Sequence, residues 1–484
     1  MDYEAVIGLE VHAQVHTRSK MYCNCPVVED TGNLEPNIYV CPVCLALPGT
    51  LPVVNRRAVE YGMMTALALH CTVAPVSVFS RKSYFYPDLP KGYQISQYDL
   101  PLSSGGYLEI EVDGDLRRIG VTRVHLEEDT GKLYHMSSGA LVDFNRAGVP
   151  LLEIVSEPDM RSVEEVYAYA TALRDILIYL GVNSGDMEKG VMRFEANVSV
   201  RLQGSDKLGT RAEIKNLNSF RALTRAVEYE IGRQIELVES GGTVEQHTLG
   251  WDEDAGETYV QRSKEFAHDY RYFPEPDLPP LEVSETWIDE IRERLPELPL
   301  AKKRRLVETY DIRPYDANLL VQDRAVAGYF ERAAQLAEEQ GIEGQEVANW
   351  ITGEIFRLMN ETNAAIEEVR VTPEQLLALL VLRDKGKISV TAAKTVFEEV
   401  FKSGDEPGAV VERLGLAQIS DTEALAAIVD EVLDENPEQV EQYLSGKEAV
   451  IGWFIGQVMR ASRGKANPQE ARKLLQTHLE RRRS

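Results

Sequence analysis

Residues 192–202 read Met192-Arg193-Phe194-Glu195-Ala196-Asn197-Val198-Ser199-Val200-Arg201-Leu202. In an extended chain successive side chains point to opposite faces. Met192, Phe194, Val198 and Val200 can therefore enter a core while Arg193, Glu195, Asn197, Ser199 and Arg201 share the other side. The N-terminus repeats the plan, with Ile7, Leu9 and Val11 alternating with Glu10, His12 and Gln14. A third stretch, Val121-Thr122-Arg123-Val124-His125-Leu126-Glu127-Glu128-Asp129-Thr130-Gly131, gathers more carboxylates. One such strand is an ordinary solvated sheet face. Three together suggest a site for a hard cation and phosphate oxygens.

Around these strands the first 290 residues mix strands with a few helices. Ser162 and Glu165 form a capping-box pattern that opens a helix, and Val163, Val166, Ala170, Leu173, Leu177 and Leu180 recur at helical spacing up to Gly181. A second helix starts near Ser219 and ends at Gly241-Gly242. Strands such as Tyr107–Val112 complete an α+β domain with a mixed, mainly antiparallel sheet. After the proline-rich stretch Glu275–Pro280 the composition turns helical, with segments over Asp323–Glu339 and Gln345–Asn360. Further helix starts lie near Thr372, Val390, Asp421, Pro437 and Pro468, with a Gly/Pro break at Ser403–Gly408. The expected domains are 1–295 (a mixed sheet domain), 296–410 (helical) and 411–484 (a helical tail).

The composition, 484 residues with 44% hydrophobic content, is sufficient for sizeable cores. No apolar run reaches the roughly 18 residues a membrane span needs. The N-terminus lacks the basic-then-apolar pattern of a signal peptide, so a cytoplasmic protein is expected. A net charge of −26 disfavours a simple nucleic-acid binder. Residues 460–484 run against that trend: Arg460, Arg463, Lys465, Arg472, Lys473, Arg481, Arg482 and Arg483 face only Glu470 and Glu480. This stretch reads as an RNA contact or as a solubilising tail.

Four of the five cysteines cluster as Cys23-Asn24-Cys25 and Cys41-Pro42-Val43-Cys44. Two close pairs of thiolates suit tetrahedral zinc, with four unmetallated loop thiols as the alternative. Cys71 reads as a small buried hydrophobe. The stretch Arg81–Tyr98 crowds Tyr84, Phe85, Tyr86, Tyr93 and Tyr98 with prolines, Lys82 and Lys91. Tyrosines of this kind stack on a base or ribose, or pack beneath a long loop. Asp269–Asp277 is a comparable stretch. No phosphate-binding Gly-x-x-x-x-Gly-Lys-Ser/Thr loop is present, because Asp129-Thr130-Gly131-Lys132 lacks the first glycine. His12 and His16 are four apart but belong to a strand pattern, not to a zinc-protease helix.

Longer motifs carry a resemblance. Val6-Ile7-Gly8-Leu9-Glu10-Val11-His12, the Lys82–Tyr98 stretch, His125–Lys132, Leu141–Arg146 through Leu152–Pro158, Glu213–Phe220 and Asp269–Asp277 together resemble the B subunit of the aspartyl/glutamyl-tRNA amidotransferase. The likeness runs essentially end to end. It implies a cradle-shaped catalytic domain at 1–295 and helical and tail domains that dock on the tRNA body. It also implies a reaction in two steps. ATP phosphorylates the side-chain carboxylate of glutamate or aspartate mis-esterified to tRNA, and ammonia then displaces phosphate to give the amide.

Carried over by motif, His12, Glu128 and Glu153 are the magnesium-site residues, with Glu10 and Glu195 as further carboxylates. Lys82 and Tyr84 face the ATP phosphates or the tRNA terminus. The implied cofactors are ATP, Mg2+ and a structural Zn2+ on Cys23, Cys25, Cys41 and Cys44. The implied partners are an amidase A subunit that supplies ammonia and a small C subunit, forming a heterotrimer, together with Glu-tRNA(Gln) or Asp-tRNA(Asn). Two rival readings remain, a zinc-stapled scaffold that only holds tRNA and a stand-alone metal hydrolase. Eight histidines and no hydrolase motif make the second the weaker.

Overall fold

The alternation in Tyr3–Gln14 places this strand fifth of nine in one sheet. Across the sheet the order is Glu257–Ser263, His247–Asp252, Ala212–Leu217, Met192–Leu202, Tyr3–Gln14, Pro150–Ser156, Asp115–Glu128, Ser103–Val112 and Thr72–Val73. Neighbours pair antiparallel, except that Ala212–Leu217 and His247–Asp252 run parallel. A parallel pair needs a long crossover, and the helix Phe220–Glu239 lies in it. The computed structural model describes residues 2–29, 34–263, 269–417, 422–462 and 466–482. The chain divides into two units, Met1–Pro299 and Leu300–Ser484.

Ile7, Leu9, Val11, Val124, Leu126, Leu152, Ile154, Met192, Phe194 and Val198 all point to one face and are buried there. Helices Arg56–Ala68, Val163–Tyr179 and Phe220–Glu239 cover that face. Each large apolar side chain so buried contributes about 1.5–3 kcal/mol. The opposite, polar face is left for chemistry.

The helix starts follow the sequence signals. The Ser162 hydroxyl accepts from the Glu165 amide at 3.2 Å, and the Ser219 hydroxyl from the Ala222 amide at 3.0 Å. The expected capping box is only half made. The Glu165 carboxylate accepts from the Arg161 amide at 2.6 Å and pairs with Arg117 instead of returning to Ser162.

A three-stranded sheet of Phe273–Pro274, Ser80–Ser83 and Tyr93–Ser96 joins the two aromatic loop stretches. Arg81 fastens it from one side, donating to both oxygens of Glu275 at 2.7 Å. Lys82, paired in register with Gln94, faces the other way.

In the second unit every described element is helical. Thr372 makes a full capping box with Gln375, its hydroxyl accepting from the Gln375 amide at 3.2 Å. One apolar cluster runs from Leu306 to Val411 and another from Leu425 to Leu479. The expected start near Asp421 lies outside the described residues, as do Arg463, Lys465 and Arg483 of the basic stretch. No helix among the described residues is long and apolar enough to cross a membrane.

Candidate active site and cysteine cluster

Strand register assembles a polar row on the open face. His12 lies opposite Glu153 on one side and Arg193 on the other, and Glu153 lies opposite His125. One step along, Glu10 is opposite Glu195, and Leu151 is opposite Glu127. The side chains then converge. His12 Nε2 is 3.4 Å from Glu153, 3.5 Å from Glu10 and 3.9 Å from Glu127. His125 Nε2 is 3.5 Å from Glu127 and 3.7 Å from Glu153. Ser96 Oγ donates to Glu127 at 2.6 Å, and Arg123 approaches Glu153 at 3.5 Å.

A cavity of about 400 Å3 opens over this row, lined among others by Glu10, Glu127, Glu153, Lys82, Tyr270 and Tyr272. Its cationic edge is Lys82, Lys215, Arg123 and Arg211. Lys215 pairs with Glu195 and stands 3.1 Å from Glu213. Arg193 turns away, donating to Asp129 at 3.2 Å.

Crowding shifts the ionisation of these groups. Burial, reinforced by Glu153, pushes Glu10 up to about 7. Burial opposes a charge on His12, but the hydrogen-bonded Glu153 overcomes it and raises the imidazole to about 9. Burial likewise opposes ionisation of Glu153, yet His125, His12 and Lys82 hold it below the usual carboxylate range. Lys82 is held above the ordinary lysine value, against burial, mainly by Glu127. Glu127 and Glu153 are thus held ionised opposite the Lys82 ammonium, while Glu10 is half protonated near neutrality.

Two sets of donor atoms in this patch could hold a metal ion, Glu10–His12–Glu153 and His125–Glu127–Glu153, each within 4.8 Å. Carboxylate oxygens dominate both sets, which is the chemistry of a hard cation such as Mg2+.

The structure brings together most of the residues singled out from sequence. Glu10, His12, Glu153 and Lys82 surround the patch, and Glu195 joins it through register with Glu10 and through Lys215. Tyr84 stands behind Tyr270, with ring centroids 6.0 Å apart. Glu128 does not join. It pairs with Pro150 on the apolar side of the sheet, accepts from the Ile95 amide at 3.0 Å and from Lys91 Nζ at 2.7 Å, and lines a separate cavity of about 190 Å3. Strand parity is the reason: Val124 and Leu126 point inward, so Glu128 follows them while His125 and Glu127 point outward. The same alternation is the sequence signal that identifies Glu127 and His125.

The four cysteines also converge, all sulfurs within 4.8 Å of one another. Cys44 Sγ lies 4.0 Å from Cys25 Sγ and 3.9 Å from Cys41 Sγ. Tetrahedral zinc with bonds of roughly 2.3 Å sets sulfurs about 3.8 Å apart, so the group fits that ion. The fully buried Lys20 stands 3.8 Å from Cys44 Sγ and donates to the Tyr39 carbonyl at 2.8 Å. A hydrogen bond from Cys23, opposed by burial and aided by the Cys41 amide and Lys20, holds the Cys44 thiol down to about 4. Residues 30–33 of this loop lie outside the described residues.

Family models describe both parts of the chain. A GatB/GatE catalytic domain matches residues 5–289, and a GatB domain matches residues 329–479. The aspartyl/glutamyl-tRNA(Asn/Gln) amidotransferase B subunit from Moorella thermoacetica is 55% identical over 99% of this chain and 100% of its own length. The chain belongs to this family of amidotransferase B subunits. The relative from Thermoanaerobacter pseudethanolicus is 54% identical over 99% of the chain and 100% of its own length. That from Carboxydothermus hydrogenoformans is 52% identical over 99% of each chain. The polar row and the cysteine cluster fall within the stretch matched by the catalytic-domain model.

Proposed function

We propose that the chain is the amidating subunit of a cytoplasmic complex acting on Glu-tRNA(Gln), Asp-tRNA(Asn) or both. The side-chain carboxylate of the tRNA-bound amino acid attacks the γ-phosphorus of ATP. An O–P bond forms, the bond to the β-phosphate oxygen breaks, and ADP leaves. Ammonia then attacks the acyl carbon, phosphate departs with the electrons of the C–O bond, and a proton from nitrogen passes to phosphate. The product is Gln-tRNA or Asn-tRNA.

The observation that carries this reading is the ionised carboxylate–histidine row facing Lys82 across one cavity. Phosphoryl transfer is mostly positioning and charge neutralisation. His12, Glu153 and Glu127 would hold Mg2+ once the proton that Glu153 keeps on His12 has left, with Glu127 taking the place expected for Glu128 and with Glu10 and Glu195 beside it. Bound there, Mg2+ would offset the charge of the triphosphate. Lys82 would meet phosphate oxygens, and Tyr84 would back the Tyr270 wall. Glu10, half protonated near neutrality, would relay the proton that passes from nitrogen to phosphate.

In the same reading an amidase A subunit supplies ammonia and a small C subunit completes a heterotrimer. The 296–410 and 411–484 domains hold the tRNA body, the basic end of the tail meeting phosphates. A structural Zn2+ on Cys23, Cys25, Cys41 and Cys44 would close the loop that runs beside the sheet.

The test is co-assembly with the amidase and bridging subunits and assay of each mischarged tRNA with and without ATP. Amide formation only with ATP, lost on His12→Ala, is expected. Amide formation without ATP, or an unaffected variant, would refute the reading.

A further inference from the structure

We propose that Tyr98 and Tyr272 form a stacking platform for an adenine ring at the rim of the active-site cavity. The inference rests on the amidation reading and adds a substrate contact to it.

The two rings lie parallel, 4.1 Å between centroids and 6° between planes. They end a run of four tyrosines. Tyr84 meets Tyr270 edge-on at 6.0 Å, Tyr270 meets Tyr272 edge-on at 6.1 Å, and Tyr272 stacks on Tyr98. Tyr270 and Tyr272 line the carboxylate cavity, and Lys82 Nζ sits 5.2 Å from the Tyr270 centroid. The run therefore leads from the ammonium suited to phosphate outward to Tyr98, which is 47% exposed.

A purely structural stack would clamp the Asp269–Asp277 stretch to the rest of the domain. That clamp already exists. Phe273–Pro274 pairs with Ser80–Arg81, and Arg81 grips Glu275 through two 2.7 Å hydrogen bonds. Tyr98 also stays half open to solvent, where an apolar contact gains least from burial. With Tyr272 stacked beneath it, Tyr98 offers its outer face to a nucleobase, whose π-face gains about 1–3 kcal/mol from such stacking. Both substrates of the proposed reaction offer an adenine, ATP and the terminal adenosine of tRNA.

The experiment measures initial rates of amide formation by the complete complex, varying ATP at saturating mischarged tRNA and then the reverse. The variants are Tyr98→Ala, Tyr98→Leu, which keeps apolar bulk without a ring, and Tyr98→Phe. Loss of the ring is expected to raise one KM by about 5- to 100-fold with kcat within about twofold, and Tyr98→Phe to behave as wild type. If ATP is the occupant, the ATP KM rises and preference for ATP over GTP shrinks. If the tRNA end is the occupant, its KM rises instead, and replacing the terminal adenosine by cytidine costs the wild type that factor but Tyr98→Leu nothing. Both KM values unchanged in the Ala and Leu variants, with only thermal stability lowered, would overturn the inference and leave the amidation reading intact. A wild-type complex that forms no amide would overturn both.

Discussion

Glu127 and Glu128 are neighbours in sequence and belong to opposite sides of the sheet. Glu127 stands 3.5 Å from His125 and 3.9 Å from His12, whereas Glu128 accepts from Lys91 at 2.7 Å beneath the apolar face. One peptide step separates a carboxylate available to a cation from one committed to a buried ion pair.

That separation gives Glu128→Gln a structural phenotype. Lys91 would lose its ion-pair partner in a largely buried setting, which costs about 3–5 kcal/mol. Denaturant unfolding should show this loss, while ADP release stimulated by mischarged tRNA survives in whatever fraction remains folded. Unchanged stability with ADP release abolished would place Glu128 in the phosphoryl-transfer site after all.

The cysteine cluster makes a separate prediction about metal. Protein purified under reducing conditions should carry zinc at about one ion per chain, and Cys41→Ser should lose most of it along with several degrees of melting temperature. Elemental analysis decides this. Zinc-free protein with wild-type stability would show that four thiols alone hold the loop.

Asp175 tests the electrostatics of the fold far from the polar row. Burial, only partly offset by Arg174, raises its carboxyl from an ordinary 3.8 to about 6. The folded-state value exceeds the unfolded one, so ionisation penalises the native state. The penalty is complete above about pH 6 and vanishes below about pH 4. Asp175→Asn should therefore stabilise the protein by about 1–3 kcal/mol at pH 7.5, the advantage shrinking as pH falls through 6 toward 4. Urea unfolding at pH 7.5 and 5 measures it. An advantage that is constant or grows at low pH would contradict the assignment.

Much of this architecture is legible in local pattern. The alternation in Tyr3–Gln14 and Met192–Leu202 identifies the two strands and their buried faces. Ser162, Ser219 and Thr372 mark helix starts because hydroxyls satisfy amides that the first turn leaves unpaired. Other features depend on distant partners. No sequence signal opens Val450–Ala461, since Ala449 makes no side-chain cap, and its stability comes from Phe454 and Val458 packing in the tail core. The parallel pairing of Ala212–Leu217 with His247–Asp252 depends on where the intervening helix docks. Lys82 and Glu127 are 45 positions apart and meet only because two sheets bring their faces together. Within the site, motif likeness favoured Glu128, whereas parity alone points to Glu127.

The tail should contribute to RNA binding through charge. Arg460 and Arg472 are exposed, and Lys473, also exposed, pairs with Glu470 one helical turn away at 2.8 Å. Replacing all three with glutamine should weaken mischarged tRNA binding and flatten its salt dependence by about one logarithmic unit per lost phosphate contact. Filter binding across a salt series reads this. An unchanged slope would remove the basic stretch from the interface.

The most direct measurement is Mn2+ binding to the intact chain, followed by electron paramagnetic resonance, in the wild type and in His12→Ala, Glu127→Gln, Glu153→Gln and Glu128→Gln. A site formed by the polar row should lose at least about tenfold in affinity in the first three variants and hold within about twofold in the fourth. Tight binding that survives the first three but vanishes in Glu128→Gln would contradict the site described above.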